Sequence, residues 1–143
     1  MDSENNCESF KPTTVKSNDF DLYANGTQAL SVNYNGKFYI VDLIEKKNIL
    51  EGEIKGDPQR IRALNKKEKS FVILTKETLS LFENGALAKE VKLPIESQAL
   101  EVNEVLDEIY VGDDVIIFSK FIFTKFNIIL NLYFFNFLKN KKT

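Results

Sequence analysis

Short apolar runs, each separated from the next by a turn-forming cluster, recur throughout the middle of the sequence. The runs are rich in β-branched and aromatic residues, which favour strands over helices. In the cluster Asn33 to Gly36, the Asn-Gly pair can adopt the positive φ angles of a tight hairpin, and Gly56-Asp57-Pro58 breaks the chain. No helical stripe exceeds about two turns. The predicted strands are Ala29–Val32, Lys37–Leu43, Asn48–Ile54, Arg60–Leu64, Ser70–Leu74, Thr78–Phe82, Ala88–Leu93, Gln98–Val102 and Ile109–Val111.

These strands repeat along the chain at a spacing of roughly 36 to 42 residues, which is near the period of propeller repeats. Four strands per unit at that period indicate propeller blades. The predicted fold class is therefore all-β: a partial WD-type β-propeller of two to three antiparallel four-stranded blades over residues 20–114. A β-sandwich is the main alternative. The matching positions are Val41-Asp42 with Phe82-Glu83, Ala63-Leu64 with Ala99-Leu100, and Phe71-Val72-Ile73 with Ile109-Tyr110-Val111.

Composition excludes most enzyme chemistry. Histidine and tryptophan are absent and Cys7 is the one cysteine, so imidazole zinc sites and every Ser-His or Cys-His nucleophile are ruled out. The net charge of -2 offers no broad cationic surface for phosphates, and no phosphate-binding loop is present. We therefore expect a protein that is not an enzyme, with no catalytic residue, cofactor, metal, small-molecule substrate or nucleic-acid partner.

The two ends of the sequence differ from the middle. Residues 1–19 are mainly polar, which predicts a flexible arm without a secretory signal. Residues 115–143 hold seven of the twelve phenylalanines, and 25 of these 29 residues are Phe, Ile, Asn, Lys, Leu or Tyr. All six can be encoded by codons made only of A and T. We interpret this tail as intron read-through from an AT-rich gene.

Two other interpretations of the tail are open. Phe121 to Leu138 is near the length that spans a bilayer, which would make the chain a small membrane-anchored β-rich adaptor. Lys125 interrupts this span, and a lysine near the middle of a span costs about 2.5 to 3.5 kcal/mol on insertion. The tail could instead be an ordinary buried helix or pair of strands.

Charged clusters between the strands are the remaining candidates for sites. Glu101, Glu104, Asp107 and Glu108 form one acidic group and Asp113-Asp114 another, but neither has the spacing of a calcium loop. Basic runs occur at Lys46-Lys47 and at Lys66-Lys67-Glu68-Lys69, and they could meet an acidic partner. The alternative for each cluster is a solvated turn, which is the ordinary role of charges between strands.

Two strand ends carry an apolar-acidic pair where WD repeats carry Trp-Asp: Val41-Asp42 and Phe82-Glu83. The stretch SLFENGALAKEVKLPIESQALEVNEVLDEIYVGDD, from Ser80 to Asp114, is more particular. It resembles the second propeller of the WD-repeat actin-interacting protein family, the cofactors of cofilin. In that family a strand ending in "NG" leads to an outer strand, an inner strand and a "VGGDD"-like turn, which corresponds here to Val111-Gly112-Asp113-Asp114.

The resemblance covers residues 20–114 and implies a non-catalytic, protein-interaction scaffold. Members of the family are cytosolic, bind actin filaments decorated with cofilin and promote filament disassembly. The resemblance therefore implies actin filaments and cofilin as partners and a cytoplasmic, cytoskeleton-associated location. The residues that bind actin are unknown, because no binding position of the family matches a motif in this sequence.

Overall fold

The computed structural model describes residues 16–93, 96–113, 116–122 and 135–136. Every regular element in these ranges is a β-strand, as the spacing of the apolar runs predicts. The strands are β1 Ser17–Leu22, β2 Gln28–Asn33, β3 Lys37–Asp42, β4 Lys47–Glu53, β5 Pro58–Leu64, β6 Ser70–Thr75, β7 Thr78–Glu83, β8 Ala86–Lys92, β9 Ala99–Asn103, β10 Glu108–Gly112, β11 Ile116–Ile122 and β12 Phe135–Asn136.

The strands form three antiparallel sheets of four, each a meander of consecutive strands. Sheet 1 contains β1 to β4, sheet 2 contains β5 to β8, and sheet 3 contains β9 to β12. The first strand of each sheet lies beside the first strand of the next, since β1 contacts β5 and β5 contacts β9. This is the arrangement of neighbouring propeller blades around their inner strands, which confirms the predicted fold class.

The structure begins sheet 1 earlier than the sequence predicts. Strand β1 starts at Ser17, inside the predicted arm of residues 1–19, and pairs with β2 from Ser17 to Leu22. Polar residues form a strand here because the carboxylate of Asp19 accepts a hydrogen bond from the backbone N–H of Ile61 in sheet 2 (2.9 Å). Residues 1–15 of the arm, with Cys7, lie outside the described residues.

Sheet 3 continues past the predicted boundary at residue 114. Strand β11 pairs with β10 in a register that places Phe121 opposite Ile109, and β12 pairs with β11. Residues 116–122 therefore form the third strand of sheet 3. Read-through remains a hypothesis about the gene, and the predicted anchor from Phe121 to Leu138 lies largely outside the described residues. Within the described ranges, no helix has the length and apolarity to cross a membrane.

Two apolar cores lie between the sheets. The core between sheets 1 and 2 is centred on three phenylalanines: Phe71 stacks on Phe82 (centroids 4.7 Å apart), and Phe38 contacts both rings at 5.3 and 4.9 Å. Gly52 in β4 allows the Phe38 ring to lie against the backbone, because a Cβ at this position would clash with it. The second core, between sheets 2 and 3, is aliphatic and includes Leu64, Val72, Leu74, Leu79, Leu81, Leu100, Ile109 and Val111.

The structural repeat differs by three residues from one of the predicted matches. Ala63 pairs with Phe71 in sheet 2, and Val102 pairs with Ile109 at the equivalent rung of sheet 3. Ala63 therefore corresponds to Val102, and not to Ala99. The same spacing of 39 residues separates Asn65 from Glu104, which form a contact between the two sheets. The sequence match failed because it relied on a shared Ala-Leu pair, whereas the register of the paired strands decides which residues are equivalent.

Candidate functional site

Both predicted lysine runs lie on one face of the blade stack, which we call the lysine face. It consists of the turns β1–β2, β3–β4, β5–β6, β7–β8 and β9–β10. Lys46 and Lys47 end the β3–β4 turn, and residues 66–69 form most of the β5–β6 turn. Consecutive antiparallel strands return to the same side at every second turn, so these five turns must share a face.

Apolar side chains project from two turns of the lysine face. Leu43 and Ile44 in the β3–β4 turn are 41% and 73% exposed, and Val105 and Leu106 in the β9–β10 turn are 91% and 61% exposed. In the described part of the chain, these are four of the eight large apolar side chains that are exposed. Exposed apolar groups collected on one surface indicate an interaction site. The sequence signal for them was an apolar pair inside an otherwise polar turn cluster.

A relay of hydrogen bonds joins the three sheets along this face. The side-chain oxygen of Asn65 accepts from the backbone N–H of Ala24 (2.7 Å), which links sheet 2 to sheet 1. The carboxylate of Glu104 then accepts from the backbone N–H groups of Asn65 (2.8 Å) and Lys66 (3.1 Å), which links sheet 3 to sheet 2. The relay therefore joins the β1–β2, β5–β6 and β9–β10 turns of the lysine face.

The lysines of this face form ion pairs with carboxylates of the same face. Lys66 contacts Asp107 (2.8 Å), Lys67 contacts Glu83 (2.9 Å) and Lys47 contacts Glu45 (3.0 Å). The hydrogen bond and the charge of Glu45 raise the pKa of Lys47. The surface is therefore mixed in charge, with adjacent cations and anions. It presents no uniform basic patch, because most of its lysine charges have a carboxylate beside them.

A pocket of about 190 Å³ opens on the lysine face between sheets 2 and 3. Its apolar floor contains the buried side chains of Leu64 and Leu81. The β9–β10 turn, whose tip carries Val105 and Leu106, forms one wall through Glu104 and Asp107. An apolar floor with a charged rim can accept one aliphatic or aromatic side chain of a partner. The remaining lining residues are Lys66, Lys67, Ser70 and Glu83.

Three of the six acidic residues considered as calcium ligands are held by groups of the protein itself. Glu104 and Asp107 bind sheet 2, and Glu108 accepts a hydrogen bond from the hydroxyl of Tyr110 (2.7 Å). Asp114 lies outside the described residues. In the parts of the chain that the structure covers, no three acidic, cysteine or histidine side chains come together in a group that could hold a metal ion. The β9–β10 turn therefore makes a contact between sheets 3 and 2 and is not simply a solvated turn.

The strand-end acids also have local roles. Asp42, at the position of the WD aspartate, accepts hydrogen bonds through Oδ1 from the backbone N–H groups of Ile44 (2.9 Å) and Glu45 (2.8 Å). These bonds fold the β3–β4 turn so that Ile44 points outward. Glu83, at the equivalent position of sheet 2, pairs with Lys67. The apolar-acidic pairs therefore shape the lysine face.

The opposite face is polar. A recess of about 680 Å³ lies there beside the β6–β7 turn, and Lys76 pairs with Asp57 (3.4 Å) at its edge. Tyr34 is the one large apolar side chain exposed on this face within the described ranges. The recess is lined by Lys55, Gly56, Asp57, Thr75, Lys76, Glu77, Thr78, Glu90 and Glu96.

No protein-family profile matches this sequence, and no curated protein sequence matches it either. Solved structures do match. Hsv2 of Kluyveromyces lactis superimposes with a TM-score of 0.63 at 21% identity, over 83% of this chain and 37% of that chain. A form of the same protein with loop 6CD replaced by a Gly-Ser linker gives the same score and identity over 40% of that chain.

Hsv2 of Kluyveromyces marxianus matches at 16% identity and a TM-score of 0.63, over 85% of this chain and 38% of that chain. Hsv2 is a seven-bladed WD40 β-propeller. This chain therefore spans less than half the length of the structures it matches. At these identities the likeness shows the fold alone, and the fold that it shows is that of WD40 propeller blades.

Proposed function

We propose that this chain is a non-catalytic protein-interaction scaffold and that the lysine face is its binding surface. One observation carries the proposal: the apolar tips of two turns, Leu43-Ile44 and Val105-Leu106, lie on the same face as the pocket between sheets 2 and 3. Water solvates such side chains poorly, so a partner that covers them gains about 25 cal/mol for each Å² of apolar area removed from water.

The charges around the apolar tips favour a protein as partner. Protein interfaces combine a small apolar centre with a polar rim, and here the rim alternates Lys66 and Lys67 with Asp107 and Glu83. A nucleic acid would need unneutralised cations to release its counterions. A protein surface of mixed charge can instead form new ion pairs with the exposed lysines and carboxylates of this rim.

The proposed partner is the actin filament decorated with cofilin, in the cytoplasm. The sequence resemblance to the actin-interacting family supports this choice. The stretch that resembles the family, Ser80 to Asp114, contains the whole β9–β10 turn with Val105 and Leu106. The proposed role of the bound chain is to promote cofilin-dependent filament disassembly.

Co-sedimentation with actin filaments, with and without cofilin, tests this proposal. We expect the wild-type chain to pellet with decorated filaments and the double variant Val105→Glu, Leu106→Glu to lose about tenfold or more in affinity. Tyr34→Glu is the matched control, since Tyr34 is 57% exposed on the face opposite the lysine face. Its affinity should equal that of the wild type.

Two outcomes would contradict different parts of the proposal. If the wild-type chain stays in the supernatant with decorated filaments, actin is not the partner. If it pellets and the double variant pellets equally well, the lysine face is not the binding surface. Circular dichroism of each variant shows whether it is folded before the assay.

A further inference from the structure

The outer side of strand β1 exposes two large apolar side chains whose counterparts in sheet 2 are buried. Phe20 is 66% exposed and Leu22 is 52% exposed. One repeat of 41 residues later, Ile61 and Ala63 stand at the equivalent positions of β5 and are 0% and 6% exposed, because sheet 1 covers them. The side of sheet 1 that carries Phe20 and Leu22 therefore has the form of an inter-blade surface, and within the described residues no other sheet covers it.

Sheet 1 recognises sheet 2 through specific hydrogen bonds from the inner strand. The Oδ2 atom of Asp21 accepts from the backbone N–H of Ala63 (2.8 Å), beside the equivalent bond from Ile61 to Asp19. A carboxylate on the inner strand of one blade thus binds the inner edge of the next. The same hydrogen bond between two other sheets needs an acid at the position of Asp21 and an uncovered backbone N–H at the position of Ala63.

Both groups needed for this hydrogen bond are present on the two outer sides of the blade stack, the acid on sheet 3 and the backbone N–H on sheet 1. Asn65 and Glu104 are one repeat of 39 residues apart, so Glu101 in β9 is the counterpart of Asp21, and its side chain is exposed. Leu22 is the counterpart of Ala63. In the single chain the backbone N–H of Leu22 donates to Oδ1 of the adjacent residue Asp21 (2.9 Å) at the exposed edge of the sheet. In that position the N–H can donate to the carboxylate of another copy instead.

We propose that two copies of this chain associate head to tail, with sheet 3 of one copy against the Phe20-Leu22 side of sheet 1 of the other. Glu101 of the first copy then accepts from the Leu22 N–H of the second, as Asp21 does from Ala63 within one chain. The contact buries Phe20 and Leu22 beside Tyr110 of the other copy. The described sheets of two copies supply six blades, which lies within the range of four to eight blades that closed propellers use.

Mixed cross-linking tests the orientation of the contact directly. Two single-cysteine variants of the full chain are made on a Cys7→Ser background, one with Leu22→Cys and one with Glu101→Cys. We expect a short bis-maleimide reagent to give a covalent dimer, twice the 16.4 kDa of one chain, when the two variants are mixed. Neither variant alone should give it. Equal cross-linking in the mixture and in the single variants, or none in the mixture, would overturn the proposal.

Sedimentation velocity of the full chain gives a second readout. Phe20→Lys with Leu22→Lys should weaken self-association by about tenfold or more, whereas Leu87→Lys, a control of similar exposure on β8, should leave it unchanged. A wild-type chain that stays monomeric at all concentrations, or association that both variants retain equally, would overturn the proposal. Head-to-tail chains longer than two would support the contact, because the same two surfaces form them.

Discussion

Glu104 binds Asn65 by three hydrogen bonds that cross from sheet 3 to sheet 2. The backbone N–H of Asn65 is 2.9 and 2.8 Å from the two carboxylate oxygens, and its side-chain Nδ2 is 3.0 Å from Oε1. Asn65 repeats the pattern by accepting from the N–H of Ala24 in sheet 1. Each blade thus presents a side-chain acceptor to the turn of the blade before it, and this contact aligns the lysine face.

Removal of the Glu104 carboxylate should weaken the contact between sheets 2 and 3. We expect Glu104→Ala to lower the free energy of unfolding by about 1–2 kcal/mol, since several hydrogen bonds to a charged group are lost in a partly exposed site. Urea denaturation followed by circular dichroism measures this. Glu96→Ala, an exposed acid on the opposite face, should change stability by less than about 0.5 kcal/mol. Equal effects of the two variants would show that the relay contributes nothing.

The phenylalanine cluster should dominate the stability of the first two blades. Phe71 is fully buried and contacts both Phe38 and Phe82, so Phe71→Ala should cost about 3–5 kcal/mol through lost burial and the cavity left behind. Thermal and urea denaturation measure the loss. The exposed Leu87→Ala should cost less than about 0.5 kcal/mol. A loss below about 1 kcal/mol for Phe71→Ala would contradict the described core.

Two glycines with similar backbone angles offer a matched test of the β2–β3 turn. Gly36 (φ 90°) and Gly26 (φ 73°) both adopt conformations that favour glycine. A Cβ at position 36 would lie 2.5 Å from the carbonyl oxygen of Ile54, whereas a Cβ at position 26 has no neighbour within 4 Å. We expect Gly26→Ala to cost about 1 kcal/mol for the strained φ and Gly36→Ala to cost clearly more. Urea denaturation measures both costs. Equal costs for the two variants would show that the close approach of Ile54 to position 36 does not destabilise Gly36→Ala.

Tyr23 should make the protein sensitive to alkaline pH. Burial, and then the charge of Asp21, raises the pKa of Tyr23 well above its ordinary value of 10.0, and its hydroxyl donates to the backbone oxygen of Ser70 (3.0 Å). Above pH 10 the unfolded chain loses this proton while the folded chain keeps it. The stability from Tyr23 is therefore complete below the unfolded pKa and falls by about 1.4 kcal/mol per pH unit above it.

Comparison of Tyr23→Phe with the wild type isolates this effect. At pH 8 the variant should be about 0.5–1.5 kcal/mol less stable, because it lacks one hydrogen bond. The difference should shrink or reverse by pH 11, since phenylalanine has no proton to lose and the lysines titrate alike in both proteins. A difference that stays constant from pH 8 to pH 11 would contradict the raised pKa.

Most strands were predictable because their signals are local. The runs that became β3 and β6 contain consecutive β-branched and aromatic residues, and Asn84-Gly85 adopts two positive φ angles in the tight turn that its sequence favours. Strand β1 was missed because SNDFDL is polar on the side that faces sheet 2. Its aspartates bind backbone groups about 40 residues away, and no local pattern records such a partner.

The candidate site was predictable only in part. The lysine runs and the acid at Glu104 stood out as charged clusters, but the Lys66–Asp107 ion pair and the relay join residues 38 to 41 positions apart. Val105 and Leu106 look in the sequence like one more short apolar pair. Their exposure depends on where the β9–β10 turn lies relative to its neighbours, which local propensity does not specify.

The sequence by itself determined that this protein is built of short antiparallel strands at a propeller period, because strand propensity and turn chemistry act between near neighbours. Tertiary structure decided which strands lie innermost in the stack and which turns share a face. It also placed Glu104 of the β9–β10 turn where its carboxylate binds sheet 2. The physical reason is that burial and hydrogen bonding between blades join residues about one repeat apart, and their energies depend on packing that exists only in the folded chain.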